Sequence, residues 1–136
     1  MGRKKKKKIN ISREKIKNKF NGRCAYCGEK LKNGWNIDHV IPKSNFEKVV
    51  REKRQPKFLK HLKREDVNHD DNLFPSCASC NRYKDSYSLR QFRRELGKLT
   101  TRLHERTTIY RIAKRFNLIT ETKNRIIFYF EICNCK

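Results

Sequence analysis

Two Cys-x-x-Cys pairs, Cys24/Cys27 and Cys77/Cys80, constrain this chain more than any other feature of its sequence. Two-residue spacing lets both sulfurs of a pair reach one tetrahedral ion at about 2.3 Å. Four thiolates favour zinc, which imposes no ligand-field geometry and undergoes no redox change. The long stretch between the pairs only has to loop out and return. A closed four-sulfur site has no open coordination position, so its expected role is structural. Four unrelated buried thiols, or a redox Cys-x-x-Cys, compete with this reading, and two matched pairs weigh against both. Cys133 and Cys135 differ: they are one residue apart at the chain end. They are either incidental thiols or an accessory contact to a metal or a dimer partner.

A staple suits the composition. The 136 residues are 35% hydrophobic and 37% charged, with fourteen aromatic residues, so one compact domain with a modest core is expected. Net charge is +22, and the run Arg3 to Lys8 supplies six of those charges. The remaining +16 is spread over the domain, which points to a polyanionic partner. No apolar stretch approaches the roughly 20 residues of a membrane span, and no apolar run follows the basic start as in a secretory signal. A reducing, intracellular setting is expected, where paired cysteines more often bind metal than form disulfides.

Residues 1–11 read as a basic arm, either solvated or tracking phosphates. Ser12 to Asn21 predicts a short helix with Ser12 as cap and Ile16 and Phe20 on one face, ended by Asn21-Gly22. Trp35 to Ile41 predicts a strand stopped by Pro42, and Leu73-Phe74-Pro75 a short return strand. Residues 45–68 read as an insertion lying on the domain, with helical turns around Phe46, Val49 and Val50 and around Phe58, Leu59 and Leu62. Cys77 to Lys84 opens a helix. A second helix begins at the cap Ser88 and carries a stripe of Leu89, Phe92, Leu96, Leu99 and Leu103 through Gly97. A further helix follows Thr107 or Thr108, and Ile126 to Ile132 reads as a strand. Residues 12–98 would form the main domain and 99–136 a C-terminal extension. The extension either completes the core or docks on nucleic acid, since Arg90, Arg93, Arg94, Arg102, Arg106, Arg111, Lys114 and Arg115 crowd its helices.

Between the cysteine pairs lies Asp38-His39. Asp38 offers a hard anionic oxygen and Asn81, just after the second pair, a neutral one. Such ligands with waters and a phosphate oxygen suit Mg²⁺ or Mn²⁺. His39, with an ordinary pKa of about 6.5, is largely neutral at pH 7 and able to take a proton from water. Asn72 can orient the loop carrying His39 through its amide. Adjacent strand residues face opposite ways, so the strand must end or bulge for Asp38 and His39 to serve one site. Arg23, Arg82 and Lys84 flank the motif and are candidate phosphate contacts. His61, His69 and His104 lack partners in the motif and read as surface residues.

The order Asp38-His39, Asp70-Asp71-Asn72-Leu73, Cys77-Ala-Ser-Cys80-Asn81-Arg82-Tyr83-Lys84 resembles the HNH, or ββα-metal, nuclease family, over about Arg23 to Leu89. Phage and bacterial members are the nearest in kind. The long segment from Asn45 to Asn68 departs from the pattern. The resemblance implies an α+β fold: a small zinc-stapled ββα-metal core with flanking helices and a C-terminal helix-strand extension. It implies His39 as general base, Asn72 as its supporting residue, Asp38 and Asn81 as ligands of a catalytic divalent ion, and Cys24, Cys27, Cys77 and Cys80 as ligands of structural zinc. The expected activity is metal-dependent hydrolysis of DNA phosphodiester bonds, by nicking or double-strand cleavage, in the cytoplasm of a bacterial or phage-infected cell. An inactive zinc-stapled nucleic-acid-binding module and an RNA-directed protein are the competing functions.

Overall fold

The computed structural model describes residues 11–135. The basic arm expected over residues 1–11 lies, but for Ile11, outside the described residues.

Helix α1 (Arg13–Asn18) starts where Ser12 accepts a hydrogen bond from the Lys15 amide, and it buries Ile16. The chain then turns through Asn21 and Gly22, both at positive φ. The first cysteine pair follows in a knuckle closed by Cys24 N–H to Glu29 O at 2.8 Å and Gly28 N–H to Cys24 O at 3.0 Å. Gly28 has φ +76°, and an added Cβ would meet the Tyr129 ring at 3.0 Å. Glycine therefore meets a backbone demand and a packing demand at that position.

Strands β1 (Asn36–His39) and β2 (Leu73–Ser76) pair antiparallel, with Ile37 opposite Pro75, Asp38 opposite Phe74 and His39 opposite Leu73. Pro75 donates nothing, but its carbonyl accepts Ala25 N–H at 2.9 Å, so the knuckle covers part of the free edge of β2. Helix α1 leans on β2 through Phe20 and Phe74, whose rings meet edge-on at 5.1 Å. Lys19 adds bonds to Leu73 O at 2.9 Å and to the Asp70 carboxylate at 2.7 Å.

The segment expected to lie on the domain instead enters it. Helix α2 (Phe46–Arg51) and a 3-10 turn over Lys57–Leu59 bring Phe46, Leu59 and Leu62 into the core. These are large apolar side chains, each worth about 1.5–3 kcal/mol when buried, so they were available to thicken a core that two short strands cannot fill. A 3-10 turn over Asp70–Asn72 then leads into β2.

Helix α3 (Ala78–Lys84) carries the second cysteine pair at its start and ends at Asp85, which has φ +45°. Helix α4 (Leu89–Leu96) opens on a capping box in which Ser88 and Gln91 exchange side-chain-to-backbone bonds of 3.2 and 2.9 Å. Phe92 is fully buried. The continuous helix expected from Ser88 to Leu103 is divided: α4 stops at Gly97, and α5 (Leu99–Arg106) starts anew after Lys98. Gly97 has the largest backbone entropy to lose, and no buried side chain holds the next turn to α4. Helix α6 (Thr108–Arg115) folds back on α5.

The strand expected over Ile126–Ile132 is absent; the chain forms a short helix α7 (Tyr129–Ile132). The physical reason is where its amides go. Tyr129 N–H donates to Tyr26 O at 3.0 Å and Phe130 N–H to Ala25 O at 2.8 Å, so knuckle carbonyls capture donors that a ladder would have used. Arg93 holds Ile126 O at 2.6 Å, pairs with Glu131 and lies over the Phe128 ring at 4.5 Å. Phe128 thereby joins an aromatic cluster around Tyr26, which has Phe92 and Phe128 both at 5.5 Å. Cys133 and Cys135 lie just past α7 with their Cα atoms 5.2 Å apart. The architecture is α+β: a two-stranded antiparallel sheet with helices packed around it. Among the described residues no helix is long and apolar enough to cross a membrane.

Candidate functional site

The two cysteine pairs come from opposite ends of the excursion between them. Cys24 and Cys27 belong to the knuckle, Cys77 caps α3 and Cys80 lies in its first turn. All four sulfurs lie within 4.8 Å of one another, with Cys27 and Cys77 at 3.8 Å. The Cys80 amide donates to the Cys77 sulfur at 3.4 Å. Packed sulfurs cannot all ionise without a cation. A hydrogen bond from the Cys80 thiol draws the Cys24 pKa down to about 4, while burial pushes Cys27 up to about 11. The same bond to Cys24 pushes Cys80 up. A divalent ion relieves this crowding, and a closed set of four sulfur donors fits zinc.

On the far side of β1 the strand ends at His39, and Val40 N–H turns to Asn72 O at 2.9 Å. That ending lets Asp38 and His39, which alternate along the strand, line one cleft of about 290 Å³ together with Asn81. Asn72 is wholly buried. It accepts Ile41 N–H at 2.8 Å and donates to Ile41 O at 3.2 Å and Val67 O at 2.9 Å. Its amide thus fixes the loop that leaves His39. The His39 Nε2 lies 2.9 Å from Asn68 Oδ1. An amide oxygen only accepts, so the neutral ring carries its proton on Nε2 and keeps its lone pair on Nδ1. Burial holds the His39 pKa below its ordinary value of 6.5, opposed by the bond to Asn68.

Asp38 is only 6% exposed, and its Oδ2 accepts from the Tyr26 hydroxyl and from Lys84 Nζ at 3.0 Å. Lys84 also donates to His39 O at 3.0 Å. Burial pushes the Asp38 carboxyl up, against the pull of Lys84, and pushes the Lys84 ammonium down, against the pull of Asp38. This corrects the expectation that Lys84 is a surface phosphate contact. Its side chain is 0% exposed, and its charge serves Asp38 and the end of β1.

Arg23 and Arg82 are exposed, and neither lines the cleft. Arg23 braces the knuckle through Gly28 O at 2.9 Å. Four cleft residues carry no signal in the motif: Asp85 at the positive-φ end of α3, Ser86 after it, and Lys43 and Ser44 after Pro42. Asp38, Asp85 and the Asn81 amide give the cleft hard oxygen donors of the kind Mg²⁺ and Mn²⁺ accept. Among the described residues, the groups of three or more His, Cys, Asp or Glu whose ligand atoms lie within 4.8 Å of one another are the four cysteines and a separate set of His61, His69 and Asp71.

The basic residues of the C-terminal helices divide in two. Arg93, Arg102, Arg111 and Lys114 are committed to Glu131, Glu95, the His104 and Glu105 carbonyls, and Glu121 respectively. Arg90, Arg94, Arg106 and Arg115 are exposed. Comparison of the chain with protein-family models, with curated proteins and with solved structures returns no match.

Proposed function

We propose that the chain is a metal-dependent endonuclease of the HNH type, hydrolysing phosphodiester bonds of DNA. The observation that carries this reading is the single cleft lined by His39, Asp38 and Asn81, with His39 oriented by Asn68 and its loop fastened by Asn72. A neutral imidazole at the mouth of such a cleft accepts a proton from water as the water oxygen attacks phosphorus. The bond from phosphorus to the leaving 3′ oxygen then breaks. Asp38 and Asn81, with Asp85 in the same cleft, would hold Mg²⁺ or Mn²⁺, which would supply charge stabilisation to the phosphate. Net charge of +22 favours binding to the polyanion, with affinity that falls as salt rises.

One observation favours a second reading, a zinc-stapled nucleic-acid-binding module without cleavage. The Lys84 ammonium already neutralises the Asp38 oxygen on which a divalent cation would draw. Supercoiled plasmid incubated with the zinc-loaded chain and Mg²⁺ or Mn²⁺ separates the two. Nicked or linear product that EDTA suppresses is the expected result. Salt-sensitive retention of plasmid without a cut in either metal would establish the second reading. A labelled single-stranded RNA in parallel tests whether the substrate is DNA.

A further inference from the structure

We propose that His61, His69 and Asp71 form a second transition-metal site on the surface, separate from the cysteine cluster and from the His39 cleft. Two segments contribute. His61 follows the 3-10 turn over Lys57–Leu59, while His69 caps, and Asp71 lies within, the turn over Asp70–Asn72. One ligand atom from each lies within 4.8 Å of the other two. Asp71 Oδ2 stands 2.6 Å from His61 Nε2 and 3.8 Å from His69 Nδ1. Donors on one tetrahedral zinc stand about 3.3 Å apart, given bonds of about 2.0–2.1 Å. The present separations bracket that value, and all three side chains are about half exposed and free to adjust.

The donor chemistry selects the ion. Two imidazoles and one carboxylate suit zinc, nickel or cobalt, whereas Mg²⁺ prefers oxygen donors throughout. His69 Nδ1 already presents a lone pair, which accepts Asp71 N–H at 3.0 Å. An ion bound there would displace two hydrogen bonds, Asp71 N–H to His69 Nδ1 and His61 Nε2 to Asp71 Oδ2, with the His61 ring proton moving to Nδ1, and would gain three ligands, with water completing its shell. The surroundings make the arrangement informative. In a chain of 36 lysines and arginines, the Asp71 carboxylate is paired with two imidazoles. The ion would tie the His61 segment to residues 68–72, which include Asn68 and Asn72, the residues that hold His39 and its loop.

Metal titration of the full chain tests this. Protein already carrying zinc in its cysteine cluster is dialysed against micromolar Zn²⁺, and bound zinc is counted. The wild type should take up one further equivalent. His61→Ala/His69→Ala should lose that equivalent while keeping a cooperative melting transition and its cysteine-site zinc, and His61→Gln should weaken it at least tenfold. With Co²⁺ as the added ion, the new absorption should lack sulfur-to-cobalt charge transfer. Absence of a further equivalent in the wild type would overturn the site, as would uptake that survives the double substitution or brings a sulfur-to-cobalt band. The count does not depend on nuclease activity, so its failure and failure of the endonuclease reading are distinct results.

Discussion

Helix α3 serves two sites that are prepared in opposite ways. At its start, Cys77 and Cys80 meet Cys24 and Cys27 with all four sulfurs gathered within 4.8 Å of one another. Immediately after Cys80, Asn81 faces a cleft whose main carboxylate, Asp38, is already matched by Lys84 and Tyr26. A gathered set of soft donors stores repulsion that a metal relieves, so binding there is coupled to folding. A carboxylate balanced within the fold needs no ion to stay buried, so the cleft keeps its shape whether or not it is loaded.

The largest effect that would break this comparison is expected at the staple. Cys80→Ser should abolish the cooperative melting transition and reduce cysteine-site zinc well below one equivalent, as prolonged chelation should. Structural zinc is worth about 10–16 kcal/mol in small domains, as much as or more than a domain's typical total of about 5–15 kcal/mol. A variant that melts like the wild type would remove the staple from the account. Next comes Lys84→Met, which leaves Asp38 buried beside Tyr26 alone. A loss of about 3–5 kcal/mol by urea titration is expected, because an uncompensated buried charge is costly. Adding Asp38→Asn should recover part of it; a neutral Lys84→Met would mean that the pair is not what holds β1 to α3.

The smallest effect sharpens the cleft. Burial lowers the His39 pKa, so the base stays deprotonated below pH 6.5, and the acid limb of the cleavage profile should have its midpoint under that value. Asn68 opposes the shift by bonding the ring. Asn68→Ala should therefore move the limb to still lower pH, while slowing the plateau about threefold to tenfold, the worth of one hydrogen bond. A limb that moves upward, or stays in place, would show that Asn68 does not tune His39.

Much of this was legible in residue order. Cysteine spacing announces the cluster, Ser88 with Gln91 announces the start of α4, and the alternation rule requires β1 to end near His39. The role of Lys84 was also within reach. It lies four residues after Cys80 and three after Asn81, so it shares their inward helix face. Charge type, which usually places lysine outside, concealed it. Asn68 left no such trace, because its meeting with His39 depends on how residues 45–68 fold into the core. The run Ile126–Ile132 has the composition of a strand, yet Ala25 and Tyr26 carbonyls claim its amides, and that competition is a tertiary fact. The stripe through Leu103 misled for a related reason. Periodicity persists past Gly97, but α5 and α6 leave the core, with Ile109 85% and Phe116 71% exposed.

The central claim, that one histidine carries the proton while the cysteines carry the fold, is met most directly by His39→Ala. Supercoiled plasmid is cut by wild type and variant under the same Mg²⁺ or Mn²⁺ concentration, with zinc content and melting temperature measured on the same samples. The account predicts at least a hundredfold loss of cutting, the usual weight of a general base, with the cysteine-site zinc and the melting transition retained. Cutting at the wild-type rate, or loss of the melting transition together with the activity, would contradict it.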